Sequence, residues 1–114
     1  MIAGRVWVAR SFAARWRGLM GRAALEHDEG LYLPGSNGVH MLFMRFPIDC
    51  VFVDRPAADG SQRVVALRRA LPPWRGVVWY VRGAHGAFEL PAGTIDRSGL
   101  AVGDVVRLEQ RTAA

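Results

Sequence analysis

Gly38-Val39-His40-Met41-Leu42-Phe43-Met44-Arg45-Phe46-Pro47-Ile48-Asp49-Cys50-Val51-Phe52-Val53-Asp54 is the stretch on which the fold turns. Its second half, Ile48 to Val53, is a nearly continuous apolar run, the pattern of a central strand covered on both faces. Asp54 to Ser61 follows, carrying Pro56, Asp59 and Gly60, and reads as the turn of a hairpin whose return arm is Arg63 to Leu67.

Outward from this centre the chain continues as short strands cut by Gly, Pro, Asn and Asp. Leu31 to Leu33 precedes the loop Pro34 to Gly38, and Pro72-Pro73 ends the return arm. Ala87 to Leu90 is a strand stopped by Pro91-Ala92-Gly93, and Val105 to Glu109 closes the domain. At the other end, Arg5 to Arg10 alternates as a half-buried strand. Ser11 then offers an N-cap to the helical stretch Phe12 to Arg17, which Gly18 can terminate, and a second turn follows from Leu19 to about Leu25. This spacing predicts one mainly β domain over residues 1–114, an antiparallel β-sandwich or distorted barrel with one short helical segment near the N-terminus.

A chain of 114 residues, 51% hydrophobic and with four tryptophans, is long enough to bury a core and suits one domain. The formal net charge of +5 is carried entirely by arginine, all 15 basic residues being of that type. Positive charge draws anionic partners, but arginines lie throughout the chain without a dense stripe, so nucleic acid is not the expected partner. No stretch approaches the ~18 apolar residues of a membrane span, and Met1 to Arg10 lacks the apolar core of a signal peptide. A soluble, cytoplasmic protein is the expectation.

Three ionisable side chains, His40, Arg45 and Asp49, interrupt the apolar stretch. On a strand from Ile48 to Val53, Asp49 shares a side with Val51 and Val53. Left alone in a dry site its carboxylate would cost several kcal/mol, roughly, so an arginine or several backbone N–H donors should meet it. Arg45 is one candidate, with Arg17 and Arg22 from the helical stretch. The structural reading is a buried ion pair. The functional one is a cleft in which guanidinium groups bind a carboxylate or phosphate on a small anionic ligand, its lining made by Arg17, Met20, His40, Phe43, Arg45 and Asp49. Arg22 and Glu89 complete the candidate set.

An alternative is an enzyme using His40 with Asp49 or Glu89 for acid–base work on a small polar substrate. Another is a protein-interaction module presenting Trp74, Trp79 and Tyr80 at the surface. The scattered histidines His27, His40 and His85 and the single Cys50 lack metal-ligand spacing. There is no nucleophile elbow and no phosphate-cradling or dinucleotide-binding glycine motif. No cofactor or metal is therefore expected.

Four segments taken together, Arg17 to Arg22, His40 to Asp54, Phe88 to Thr94 and Gly99 to Asp104, resemble the domain of unknown function 192 family of bacteria and archaea. The resemblance implies a mostly antiparallel β-sandwich-like domain with a short helical segment after the first strand. It implies no reaction and no catalytic residues. Phe43-Met44-Arg45-Phe46 leads directly to Pro47-Ile48-Asp49 where the commoner family pattern has an aromatic-Met-Lys-Asn-Thr run, so the Asn and Thr hydrogen-bonding groups of that pattern are absent here.

Overall fold

In the computed structural model, residues 5–8, 29–41 and 45–107 are described, with the backbone alone at residues 5–8, 29 and 40. The strands are β1 (Arg5–Val8), β2 (Glu29–Pro34), β3 (Val39–His40), β4 (Ile48–Val53), β5 (Ser61–Leu71), β6 (Val77–Val78), β7 (Gly86–Pro91) and β8 (Val105–Arg107). One short helix, α1 (Thr94–Ser98), joins β7 to β8. Six strands form a single sheet in the order β1-β2-β7-β4-β5-β8, antiparallel except for the β1–β2 pair. β3 and β6 pair separately as a two-stranded antiparallel ribbon.

The apolar run predicted as the central strand is β4, with the expected bounds. It is hydrogen-bonded to β5 on one side and β7 on the other, and all six of its residues are buried. Its side chains divide by the two-residue period of a strand. Cys50 and Phe52 pack with Val39, Ala66, Val81, Ala84 and Ala87, while Ile48 joins Leu31, Met41 and Phe46. Val51 and Val53 point the other way, into a cluster with Tyr32, Val64, Leu90 and Ile95. The ribbon and the loop after it therefore cover one face of the sheet, and α1 covers the other. Fully burying Phe52 alone contributes about 1.5–3 kcal/mol relative to leaving it in water.

The hairpin β4–β5 forms as expected, but β5 runs past the predicted Leu67 to Leu71, as far as Pro72 allows. The strands stay paired by absorbing an irregularity. Ile48 faces Leu71 and Cys50 faces Arg68, so Asp49 alone opposes Arg69 and Ala70. Ala70 takes the strained left-handed backbone, φ 48°, which an alanine adopts at a cost of about 1–2 kcal/mol. Such a bulge needs something to hold it.

The predicted helical stretches from Phe12 to Arg17 and from Leu19 to Leu25 lie outside the described residues. The helix that is described, α1, falls just past the strand stop at Pro91-Ala92-Gly93, where the sequence shows no helical pattern. Gly93, φ 94°, turns the chain into it and Gly99, φ 70°, turns it out, so five residues fit between two left-handed glycines.

Candidate functional site

Asp49 is only 1% exposed, and its partners are backbone amides. Oδ1 accepts the N–H of Ala70 at 2.9 Å; Oδ2 accepts those of Gly93 at 3.1 Å and Ile95 at 2.9 Å. One carboxylate thus fastens the bulge in β5 and also the start of α1, whose own N-cap residue, Gly93, has no side chain to do so. Hydrogen bonds to an ionised acceptor are roughly twice as strong as neutral ones. The buried Arg45–Asp49 ion pair expected from the sequence is not formed: Arg45 is exposed, and the amides occupy the place it would have taken. Three preorganised donors satisfy the carboxylate without ordering a long side chain, which is the physical reason the nearby arginine is not needed.

Glu89 is 0% exposed. Across the sheet it stands opposite Cys50 on β4 and Leu31 on β2, whereas Asp49 stands opposite Leu90. Residues directly opposite in an antiparallel pair share a face. Glu89 therefore belongs to the ribbon side and Asp49 to the helix side, so the two carboxylates cannot converge on one substrate. His40 contributes its backbone to the ribbon, pairing with Val77. Arg17, Met20, Arg22 and Phe43 lie outside the described residues. Of the described members of the predicted site, Arg45 is at the surface while Asp49 and Glu89 are inside, on opposite faces. Asp49, with both oxygens committed to amides, is poorly placed to act as a base.

Cys50 is buried in the middle of β4, away from any solvent-borne electrophile. Among the described residues no three His, Cys, Asp or Glu side chains gather as metal ligands, and no helix is long and apolar enough to cross a membrane.

The surface is more telling around the ribbon. Trp79 is 88% exposed, Tyr80 64% and Trp74 53%, and Val77 is exposed between them. For Val77 and Trp79 the local structure dictates this arrangement. Val78 packs inward against the cluster of Val39, Cys50 and Phe52, so its neighbours Val77 and Trp79 are turned outward. The Trp74 N–H donates to the Met41 carbonyl at 2.8 Å, the Met41 N–H to the Gly76 carbonyl at 2.8 Å, and the Val81 N–H to the Asn37 carbonyl at 2.7 Å. These bonds tie the aromatic segment to the start of the Gly38–Asp54 stretch. Gly38 makes the approach possible: a Cβ there would lie 2.6 Å from the carbonyl oxygens of both Val78 and Trp79. Trp74 itself is held at φ 68°, a conformation that an L-residue keeps only where its surroundings impose it.

Arg75 and Arg82 flank these rings; both are exposed, and among the described residues neither guanidinium meets a carboxylate. The segment of chain that carries them is basic. From Gly60 to Phe88 there are five arginines and no Asp or Glu, and the remaining ten arginines of the chain are matched by ten acidic residues. The net positive charge therefore arises from this one segment, a signal hidden when arginines are judged by their even spread. Carboxylates elsewhere serve structure: Asp96 pairs with Arg69 at 2.9 Å and Asp59 with Arg107 at 3.1 Å, both at the surface. The hydroxyl and backbone N–H of Ser61, and then Arg107, hold the Asp59 carboxyl below its ordinary value.

Comparison with known proteins agrees with this architecture. A curated UPF0127 protein of Thermococcus sibiricus is 37% identical over 112 residues, covering 93% of this chain and 67% of its own length. A crystal structure described as that of "a putative transcription regulator" from Sinorhizobium meliloti superposes with a TM-score of 0.70 at 28% identity, over 91% of this chain and 79% of the other. A protein of unknown function from Novosphingobium aromaticivorans gives the same TM-score at 24% identity, over 89% and 73% of the two chains, and bears on the fold alone. The model of the DUF192 family, described as an uncharacterized ACR, matches residues 2–108. With nearly its whole length matched, this chain belongs to the DUF192 family.

Proposed function

We propose that this protein is a small binding domain for an anionic partner, and that its binding face is the β3–β6 ribbon with the segment from Trp74 to Arg82. The observation that carries the reading is the exposure of Trp74, Trp79 and Tyr80 beside Arg75 and Arg82 in a stretch free of acidic residues. Large rings left in water on a folded domain mark contact surfaces, and Trp, Tyr and Arg are the residues on which binding energy concentrates. Arg45 is exposed as well. The binding role first sought in a cleft around Asp49 moves to the surface, because Asp49 is consumed in holding bulge and helix. The Sinorhizobium structure's description as "a putative transcription regulator" is compatible with an anionic partner.

Retention on immobilised heparin at low salt tests the reading. The wild-type domain is expected to bind, and the doubly substituted Arg75→Gln, Arg82→Gln protein to elute at clearly lower salt. Equal elution of the two would remove the ribbon as the anion-binding face.

A further inference from the structure

We infer that the anionic partner is single-stranded nucleic acid, with bases stacked on Trp79 and Tyr80 and phosphates met by Arg75 and Arg82; this rests on the ribbon being the binding face. Rings and guanidinium groups alternate here within nine residues, Trp74, Arg75, Trp79, Tyr80 and Arg82, all of them exposed. A ligand that uses both must itself repeat a planar apolar surface and a negative charge at short intervals. Unpaired nucleotides do so, and aromatic platforms in basic grooves are the general solution for binding them.

Other polyanions match only half of the surface. An acidic peptide supplies carboxylates for the arginines but no planar groups for three rings. An anionic bilayer accepts tryptophan and tyrosine at its interface, yet stable insertion draws on buried aliphatic area, and among the described residues Val77 is the ribbon's one exposed aliphatic side chain. A duplex keeps its bases stacked on each other, so it can engage the arginines and not the rings.

The segment is also fixed in place before any ligand arrives. Backbone bonds from Trp74 to Met41 and from Val81 to Asn37 anchor its two ends, and Val78 anchors its middle in the core. Rings held on a rigid support lose little freedom on binding, which favours affinity. Because stacking reads only the flat face of a base, the binding should tolerate many sequences. The even spread of arginine along the chain gives no hint of this partner; the exposed rings within the acid-free segment do.

Fluorescence anisotropy with a labelled short oligothymidylate tests the inference, with the same strand annealed to its complement, poly-L-glutamate and phosphatidylglycerol vesicles as parallel probes. The wild-type domain is expected to bind the single strand more tightly than the duplex. Trp79→Ala and Tyr80→Ala are each expected to weaken it about ten-fold, with circular dichroism and thermal midpoint unchanged. Arg75→Gln with Arg82→Gln should flatten the dependence of log affinity on log salt by about 1.4. Single-strand binding that ignores the loss of both rings, or that does not exceed duplex binding, overturns the inference. Ribbon-dependent binding of polyglutamate or vesicles without the oligonucleotide also overturns it, while leaving an anion-binding ribbon intact. Binding to none of the four probes overturns both.

Discussion

β4 and the β3–β6 ribbon with its flanking segment, Trp74 to Tyr80, both draw on valines and aromatic residues, and they meet opposite fates. In β4 every side chain is buried, with neighbouring strands on both edges and apolar clusters on both faces. In the ribbon only one side is covered, because β3 and β6 are two residues long and pair only with each other. An apolar residue is thus committed to the core by what surrounds its strand, not by its type. The difference is a division of labour: β4, with Asp49, lies wholly within the fold, whereas the ribbon packs one side on the sheet and the chain beside it leaves Trp79 and Tyr80 in solvent.

The largest effect should come from Asp49→Ala, which leaves the amides of Ala70, Gly93 and Ile95 without their acceptor. A loss of about 3–5 kcal/mol is expected, a large share of the roughly 5–15 kcal/mol that holds a small domain together. Urea unfolding monitored by circular dichroism checks it. A loss below about 1 kcal/mol would show that water replaces the carboxylate and that the clamp is dispensable.

Next in size is Gly38→Ala. Its Cβ would press on the carbonyl oxygens of Val78 and Trp79, and backbone cannot yield as the tip of a side chain can. The expected cost is about 1–3 kcal/mol. Unlike Asp49→Ala, this change should shift the ribbon itself and weaken polyanion binding in protein that remains folded.

The smallest expected effect is at Asp59, on the turn between β4 and β5. Ser61 lowers its carboxyl's pKa in the folded state, so its contribution is present above the ordinary aspartate value of about 3.9 and is lost as pH falls through the lower folded value. Asp59→Asn should therefore be slightly less stable than wild type at neutral pH, and the difference should close in acid. A difference that grew below pH ~4 would contradict the sign.

The contrast also explains what could be read from the sequence. β4 was legible because a six-residue apolar run has few other uses, and the turn at Asp59-Gly60 announced the hairpin. The ribbon was not, since two-residue strands are too short to show a period. Helix α1 was hidden for the same reason, its five residues lying between Gly93, which reads as a strand's stop, and Gly99, which reads as part of a turn. For Asp49, the sequence showed that a partner was required and named backbone amides as one option. It could not choose them, because the donors come from 21 to 46 residues away along the chain. Exposure of Trp74, Trp79 and Tyr80 was one of the alternatives the sequence left open, and the inward packing of Val78 accounts for it at Trp79 alone.

The central claim is that the ribbon's rings serve a partner and not the fold. Paired measurements on Trp79→Ala test it most directly: the urea midpoint, and the affinity for oligothymidylate. The account predicts stability within about 0.5 kcal/mol of wild type and affinity about ten-fold weaker. A stability loss of several kcal/mol with affinity unchanged would make Trp79 a structural residue and contradict the account.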